Sequence, residues 1–116
     1  MGEELFKLKL LTEARDFLFS LDKEIRKKIG ENIRAVQSGV KNPDLFKKLS
    51  GTEDIWEFRT IYDNIKYRLF AFWDKEENTW VIVTHGIIKK DKKTPKNEIE
   101  KAERIKRLYF INKEKN

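Results

Sequence analysis

The sequence predicts an α+β fold, and three observations carry the assignment. Between residues 12 and 40, apolar residues recur every three or four positions, as on helices. Between residues 55 and 88, three runs rich in aromatic and β-branched residues follow one another across short polar breaks. A last helical pattern, opened by Thr94-Pro95, closes the chain. The expected order is β-α-α-β-β-β-α: an N-terminal strand, a helical hairpin, a three-stranded antiparallel meander and a C-terminal helix, in one domain over residues 1–116.

Residues 5–11 alternate Phe6, Leu8 and Leu10 with Lys7 and Lys9, which suits a strand with one buried face. Ala14, Phe17, Leu18 and Leu21 then form one helical stripe, with Thr12 placed to cap its start. Asp22 opens a second helix with Ile25, Ile29, Ile33 and Val36 along one face; Gly39 ends it, and Asn42-Pro43-Asp44 blocks continuation. A loop holding Lys47, Lys48 and Ser50-Gly51 leads to strands over 55–62, 65–73 and 79–88. Asp63-Asn64 makes a two-residue turn and 75–78 a longer polar one. In the final helix Thr94 is expected at the N-cap and Pro95 at the first turn, with Ile99, Ala102, Ile105 and Tyr109 on one face.

The chain of 116 residues has no cysteine and one histidine, which excludes a disulfide framework or a cysteine-ligated metal site and leaves little for a histidine site. A metal-independent, cofactor-free chemistry is therefore expected. Its apolar runs are short and broken by charge, and MGEELFKLKLL is acidic where a secretory signal is basic, so a cytoplasmic protein with no membrane partner is expected. Of 26 basic and 20 acidic residues, 11 and 5 lie in 89–116, so the whole net charge of +6 comes from that last quarter. Such an excess fits an electrostatic footprint for a polyanion, or a lysine-rich solvated surface.

Hairpin pairing sharpens the question. A symmetric turn at Asp63-Asn64 sets Arg59 opposite Arg68, and a symmetric turn over 75–78 sets Arg68 opposite His85, giving one basic row across three strands. Glu57, Phe70 and Val83, then Ile55, Phe72 and Val81, continue the same face. Trp56, Phe58, Leu69, Ala71 and Ile82 occupy the other, the platform for the helical hairpin. Like charges directly opposed on a sheet destabilise it, so the row calls for an anion, an acid such as Glu57, or a function. An internal salt-bridge cluster of Glu57, Arg59 and Arg68 satisfies the same pattern, with His85 merely finishing its strand.

The functional alternative adds Lys89, Lys90, Lys92 and Lys93, which leave the end of the third strand beside the row, with Lys96 just beyond and Lys48 in the preceding loop. Two guanidiniums can grip a phosphate, lysines can follow a nucleic-acid backbone, and His85 or Glu57 can move a proton. Together they would promote attack of a ribose 2′-hydroxyl on its own phosphate, stabilised by the arginines. Trp56, Trp73 and Trp80 fit base stacking or, more commonly, packing. Tyr109 fits packing.

WEFR, KYRLFAF and HGIIKKDKKTPKNEIEKA, with the FLFSLDKEIRKKI helices and the KKL loop, resemble the HigB-type, phage-derived toxins of the RelE/ParE superfamily over nearly the whole chain. The resemblance implies a RelE-like fold and the toxin of a type II toxin-antitoxin pair, a ribosome-dependent endoribonuclease that cuts mRNA. It also implies a small antitoxin partner, often a helix-turn-helix protein. Arg59, Arg68, Lys89 and Lys90 match basic positions of the family's groove. Two positions differ from RelE itself: Glu57 stands where some relatives carry lysine, and Lys93-Thr94-Pro95 replaces a tyrosine before the final helix. Two other functions fit the same charge pattern: a ParE-like gyrase poison without nuclease activity, and a non-enzymatic basic interaction module.

Overall fold

The computed structural model describes residues 4–76, 79–90 and 92–115. Among these residues the chain forms β1 (Lys7–Leu10), α1 (Thr12–Phe19), α2 (Lys23–Gln37), β2 (Phe46–Lys48), β3 (Trp56–Tyr62), β4 (Ile65–Asp74), β5 (Trp80–Lys89) and α3 (Lys96–Glu114). The expected α+β order is present, with one addition: the loop around Lys47 holds a short strand. The five strands make one sheet in the order β1-β5-β4-β3-β2, in which only β1 and β5 run parallel. Of the turn expected over 75–78, residues 77 and 78 lie outside the described residues, as does Asp91 after β5.

Local chemistry sets the breaks. Gly39, at φ 110°, ends α2, with Gly39 N–H donating to Val36 and Val40 N–H to Ala35, the paired bonds of a glycine-stopped helix. Asp63 and Asn64 both take positive φ, 51° and 65°, as a tight turn that matches strand twist requires. The two expected caps are corrected. Leu11 precedes α1, Pro95 precedes α3, and neither helix start has a side-chain cap. The Thr94 hydroxyl is instead drawn away to Glu57 Oε2 at 3.2 Å.

The sheet is packed on both faces. Towards α1 and α2, Phe58, Tyr67, Leu69, Ala71, Val81 and Val83 meet Ala14, Ile29, Ile33 and Val36. Towards α3, Ile55, Phe70, Phe72 and Ile82 meet Ala102, with Ile99, Tyr109 and Phe110 alongside. Here the expected pairing fails in one respect. Arg59 does face Arg68, but Arg68 faces Ile87, and His85 faces Phe70. The β4–β5 ladder runs Asp74 to Trp80 and then shifts register between Phe70 and Ala71, where Thr84 is the extra residue. The turn closes on Asp74–Trp80, one residue off the symmetric pairing, which turns Val81 and Val83 to the hairpin side and Ile82 to the α3 side, the reverse of the expected faces; the bulge then adds a second residue of offset and returns His85 to the face of Arg68.

Candidate anion-binding site

The α3 side of the sheet is apolar where α3 lies on it and becomes basic towards the β3–β4 turn. Reading across the strands, one row is Lys47, Glu57, Phe70 and His85; the next is Arg59, Arg68 and Ile87; the last is Ile61, Lys66 and Lys89. Alternation along each strand puts these residues on one face, because successive side chains point to opposite sides.

At the centre, one carboxylate serves two guanidiniums. Glu57 Oε1 lies 3.4 Å from Arg59 Nε and 3.5 Å from Arg68 Nε. Arg59 Nη1 donates to the Pro43 carbonyl at 3.3 Å and Arg68 Nη1 to the Tyr67 carbonyl at 3.1 Å. Both Nε groups are buried and, among the described residues, neither has an acceptor in hydrogen-bonding geometry. Two buried donors aimed at one shared carboxylate leave positive charge unmatched, which is costly in a poorly solvated place. The two arginines are unequal: 23% of the Arg59 side chain is exposed against 3% for Arg68. Burial, with Arg59 beside it, holds the Arg68 guanidinium below its usual pKa. Burial and the nearby Arg68 do the same to the half-buried Lys89 ammonium.

His85 stands in the Glu57 row but is closed off. Its ring stacks on Phe70, with centroids 4.9 Å apart. Nε2 lies 3.2 Å from Glu98 Oε1 and Nδ1 2.8 Å from the Thr84 hydroxyl. A carboxylate only accepts, so Nε2 carries the proton. The geometry makes His85 a tie between β5 and the first turn of α3. Burial, reinforced by Lys101, holds the imidazole below its ordinary pKa of 6.5 against the pull of Glu98 and Glu13. A histidine neutral in the fold but free to charge when unfolded contributes stability that is whole above pH 6.5 and is lost as the pH falls towards its depressed value. The thermal midpoint is therefore expected to fall between pH 6.5 and 5, and more steeply than in His85→Gln. Parallel pH profiles of the two proteins would exclude this linkage.

Of the expected lysines, Lys90, Lys92, Lys93 and Lys96 are exposed and form no salt bridge among the described residues. Lys48 is placed differently: it shares the side of Trp56 and is bound to Asp54 at 2.9 Å, whereas its neighbour Lys47 faces Glu57. Two groups at the site were not among the expected residues, Lys66 and the hydroxyl of Thr94. Lys66 was findable, since KYR puts it two residues before Arg68 on the same face. Nothing local marks Thr94, whose bond to Glu57 spans the fold. Trp56 and Trp73 pack edge to face, with centroids 6.0 Å apart, and line a cleft of about 460 Å³ with Phe6, Val36 and Phe46. Tyr109 packs on Phe72 and donates to Asp74 at 2.7 Å; burial and that bond push its hydroxyl up to about 12. Among the described residues no three His, Asp or Glu side chains converge as a metal site, and no helix is long and apolar enough to cross a membrane.

The arrangement can hold an anion at Arg59, with Lys66 and Lys89 beside it and the Arg68–Glu57 pair behind. Residues 16–107 match the family described as "Phage derived protein Gp49-like (DUF891)", a family of RelE/HigB-like toxins. No curated protein matches the chain.

Proposed function

Because the chain belongs to the phage-derived Gp49-like family, we propose that it is the toxin of a type II toxin-antitoxin pair and acts as an endoribonuclease on mRNA at the ribosome. The observation that carries the reading is the pair of guanidiniums facing each other across β3 and β4, with two buried Nε donors and one carboxylate between them. Arg59, the exposed member, receives the scissile phosphate, and Lys89 adds charge from β5. Arg68 fixes Arg59 and Glu57 from beneath and supplies positive potential where charge builds in the transition state. Glu57, beside Arg59, is the carboxylate placed to take the proton of an attacking ribose 2′-hydroxyl, whereas both nitrogens of His85 are already engaged; the P–O5′ bond breaks, leaving a 2′,3′-cyclic phosphate, and water protonates the departing 5′-oxygen. Lys90, Lys92, Lys93 and Lys96 follow the backbone outside this centre. A small antitoxin neutralises the basic surface, and a helix-turn-helix protein fits the family resemblance. The site works in one domain spanning the chain, within the cytoplasm, where ribosomes are.

In a translating extract, the wild-type protein is expected to shorten reporter mRNA. Arg59→Ala is expected to slow that cleavage by about a hundredfold, the effect of losing one donor to a developing negative charge. Its fold should be retained, since Arg59 is partly exposed.

The burial of Glu57 and Arg68, each about 2% exposed, favours a second reading: a toxin that binds its target through Arg59 and the lysines without cutting it. Such a protein arrests growth while the message stays intact. Intact mRNA at a concentration that stops translation would favour that reading and reject the nuclease.

A further inference from the structure

We propose that Lys47 and Lys66 extend the Arg59 site into a diagonal phosphate track, along which the backbone of a single-stranded RNA crosses the sheet. This rests on the nuclease reading above. Lys47 is paired with Glu57, Arg59 with Arg68, and Lys66 with both Ile61 and Lys89. Lys47, Arg59 and Lys66 therefore step diagonally from β2 through β3 to β4 on one face, and Lys89 stands across from the last. Diagonal neighbours on a sheet are roughly 7–8 Å apart, a stride comparable to that between successive phosphates of an extended strand.

Three features show that these charges are kept for something outside the fold. First, two successive cross-strand pairs, Arg59 with Arg68 and Lys66 with Lys89, set like charges directly opposite, an arrangement that costs stability. Second, among the described residues Lys47, Lys66 and Lys89 form no salt bridge within 4.0 Å. Lys47 even faces Glu57 in the ladder, yet that carboxylate is taken by the two arginines and Thr94. Third, the buried Nε donors of Arg59 and Arg68 lack an acceptor at the middle of the line.

Both new residues, Lys47 and Lys66, are exposed, so a polyanion can reach them. Lys47, Arg59 and Lys66 place one cation on each of β2, β3 and β4, with Lys89 doubling the last step, and the line is bounded by Thr94 and Glu98 where they close over Glu57 and His85. One diagonal line of this kind follows a single backbone. Lys48 provides the internal comparison, being next in sequence, equally basic, on the other side and already paired with Asp54.

The test is binding of a fluorescent, single-stranded oligoribonucleotide, made uncleavable by 2′-O-methyl riboses, over a range of salt concentrations. Each phosphate contact on a single strand contributes a slope of about −0.7 to log K against log salt. Lys47→Ala and Lys66→Ala should each weaken binding several-fold and make the slope shallower by roughly 0.7. The double variant should change it by roughly twice that, Lys47→Arg should retain it, and Lys48→Ala should match wild type. Wild-type affinity and slope in both single alanine variants, alongside weakened binding by Arg59→Ala, would overturn the track and leave the nuclease standing. Equal losses at Lys47 and Lys48, or equally tight binding of a duplex, would overturn it too. Unchanged binding and cleavage in Arg59→Ala would bring down the nuclease and the track together.

Discussion

Arg68→Lys is expected to leave a folded protein whose mRNA cleavage is at least tenfold slower, and Arg68→Ala one that neither cleaves nor arrests growth. The difference follows from where Arg68 sits. Its side chain is 3% exposed and shares Glu57 with Arg59, so truncation leaves a buried carboxylate with one cation fewer and a hole beneath the sheet. Breaking a buried pair from one side costs on the order of 3 kcal/mol, enough to confound any activity assay on the alanine variant. Lysine keeps a positive charge beside Glu57 but loses the planar fork that spans Glu57 and the Tyr67 carbonyl together. The informative readout is thus cleavage rate against melting temperature for the lysine variant. An Arg68→Lys protein that melts like wild type and cuts mRNA at the wild-type rate would show that the fork takes no part in the reaction.

The elements were legible in this sequence because their periods were clean and their stops chemical. Ile25, Ile29, Ile33 and Val36 keep one helical face, Gly39 stops it, and Asp63-Asn64 admits only the tight turn, so the β3–β4 pairing and with it the Arg59–Arg68 contact could be counted out by hand. The β4–β5 pairing could not. An irregularity of one residue moves every later side chain to the other face, and the bulge at Thr84 is set by packing across the sheet. The turn closing on Asp74–Trp80 exchanges Ile82 with Val81 and Val83, and that offset together with the bulge separates His85 from Arg68. β2 was missed for a different reason: three residues, two of them lysine, carry no period, and the strand exists because Phe46 stacks on Phe58 at 4.3 Å and on Trp56 at 4.7 Å. Of the site, the charges were readable and their burial was not, since the closure over Glu57 comes from Thr94, 37 residues away. One overlooked letter did carry a signal. Gly86, alone inside a strand pattern, marks a bulge or a close approach of another element, and here it stands beside both.

Gly86→Ala is expected to lower stability by about 1–3 kcal/mol, the usual cost of forcing an extra methyl into a filled space. β1 pairs with β5 only from Trp80 to Val83; beyond that, α1 packs against the strand. The Phe17 ring lies where a side chain at residue 86 would begin. A Cβ built on Gly86 would be 2.6 Å from Phe17 Cε2 and 2.7 Å from Leu69 Cδ2, closer than carbon atoms tolerate. Leu69 is fully buried and cannot retreat, so Phe17 must move, and α1 with it. A fall of roughly 5–15 °C in melting temperature is expected. The cause can be isolated: Phe17→Leu should cost stability by itself, but the double variant Phe17→Leu/Gly86→Ala should lose less than the two losses combined, because the smaller side chain vacates the space the methyl needs. Strictly additive losses would place Phe17 elsewhere. The same strain reaches the candidate site along a short path, since His85 and Ile87 flank the glycine and His85 ties α3 to the sheet through Glu98. With the bond to Glu98 pulled out of line, the buried His85 loses a group that raises its pKa, so the Gly86→Ala protein should lose stability more steeply than wild type between pH 6.5 and 5.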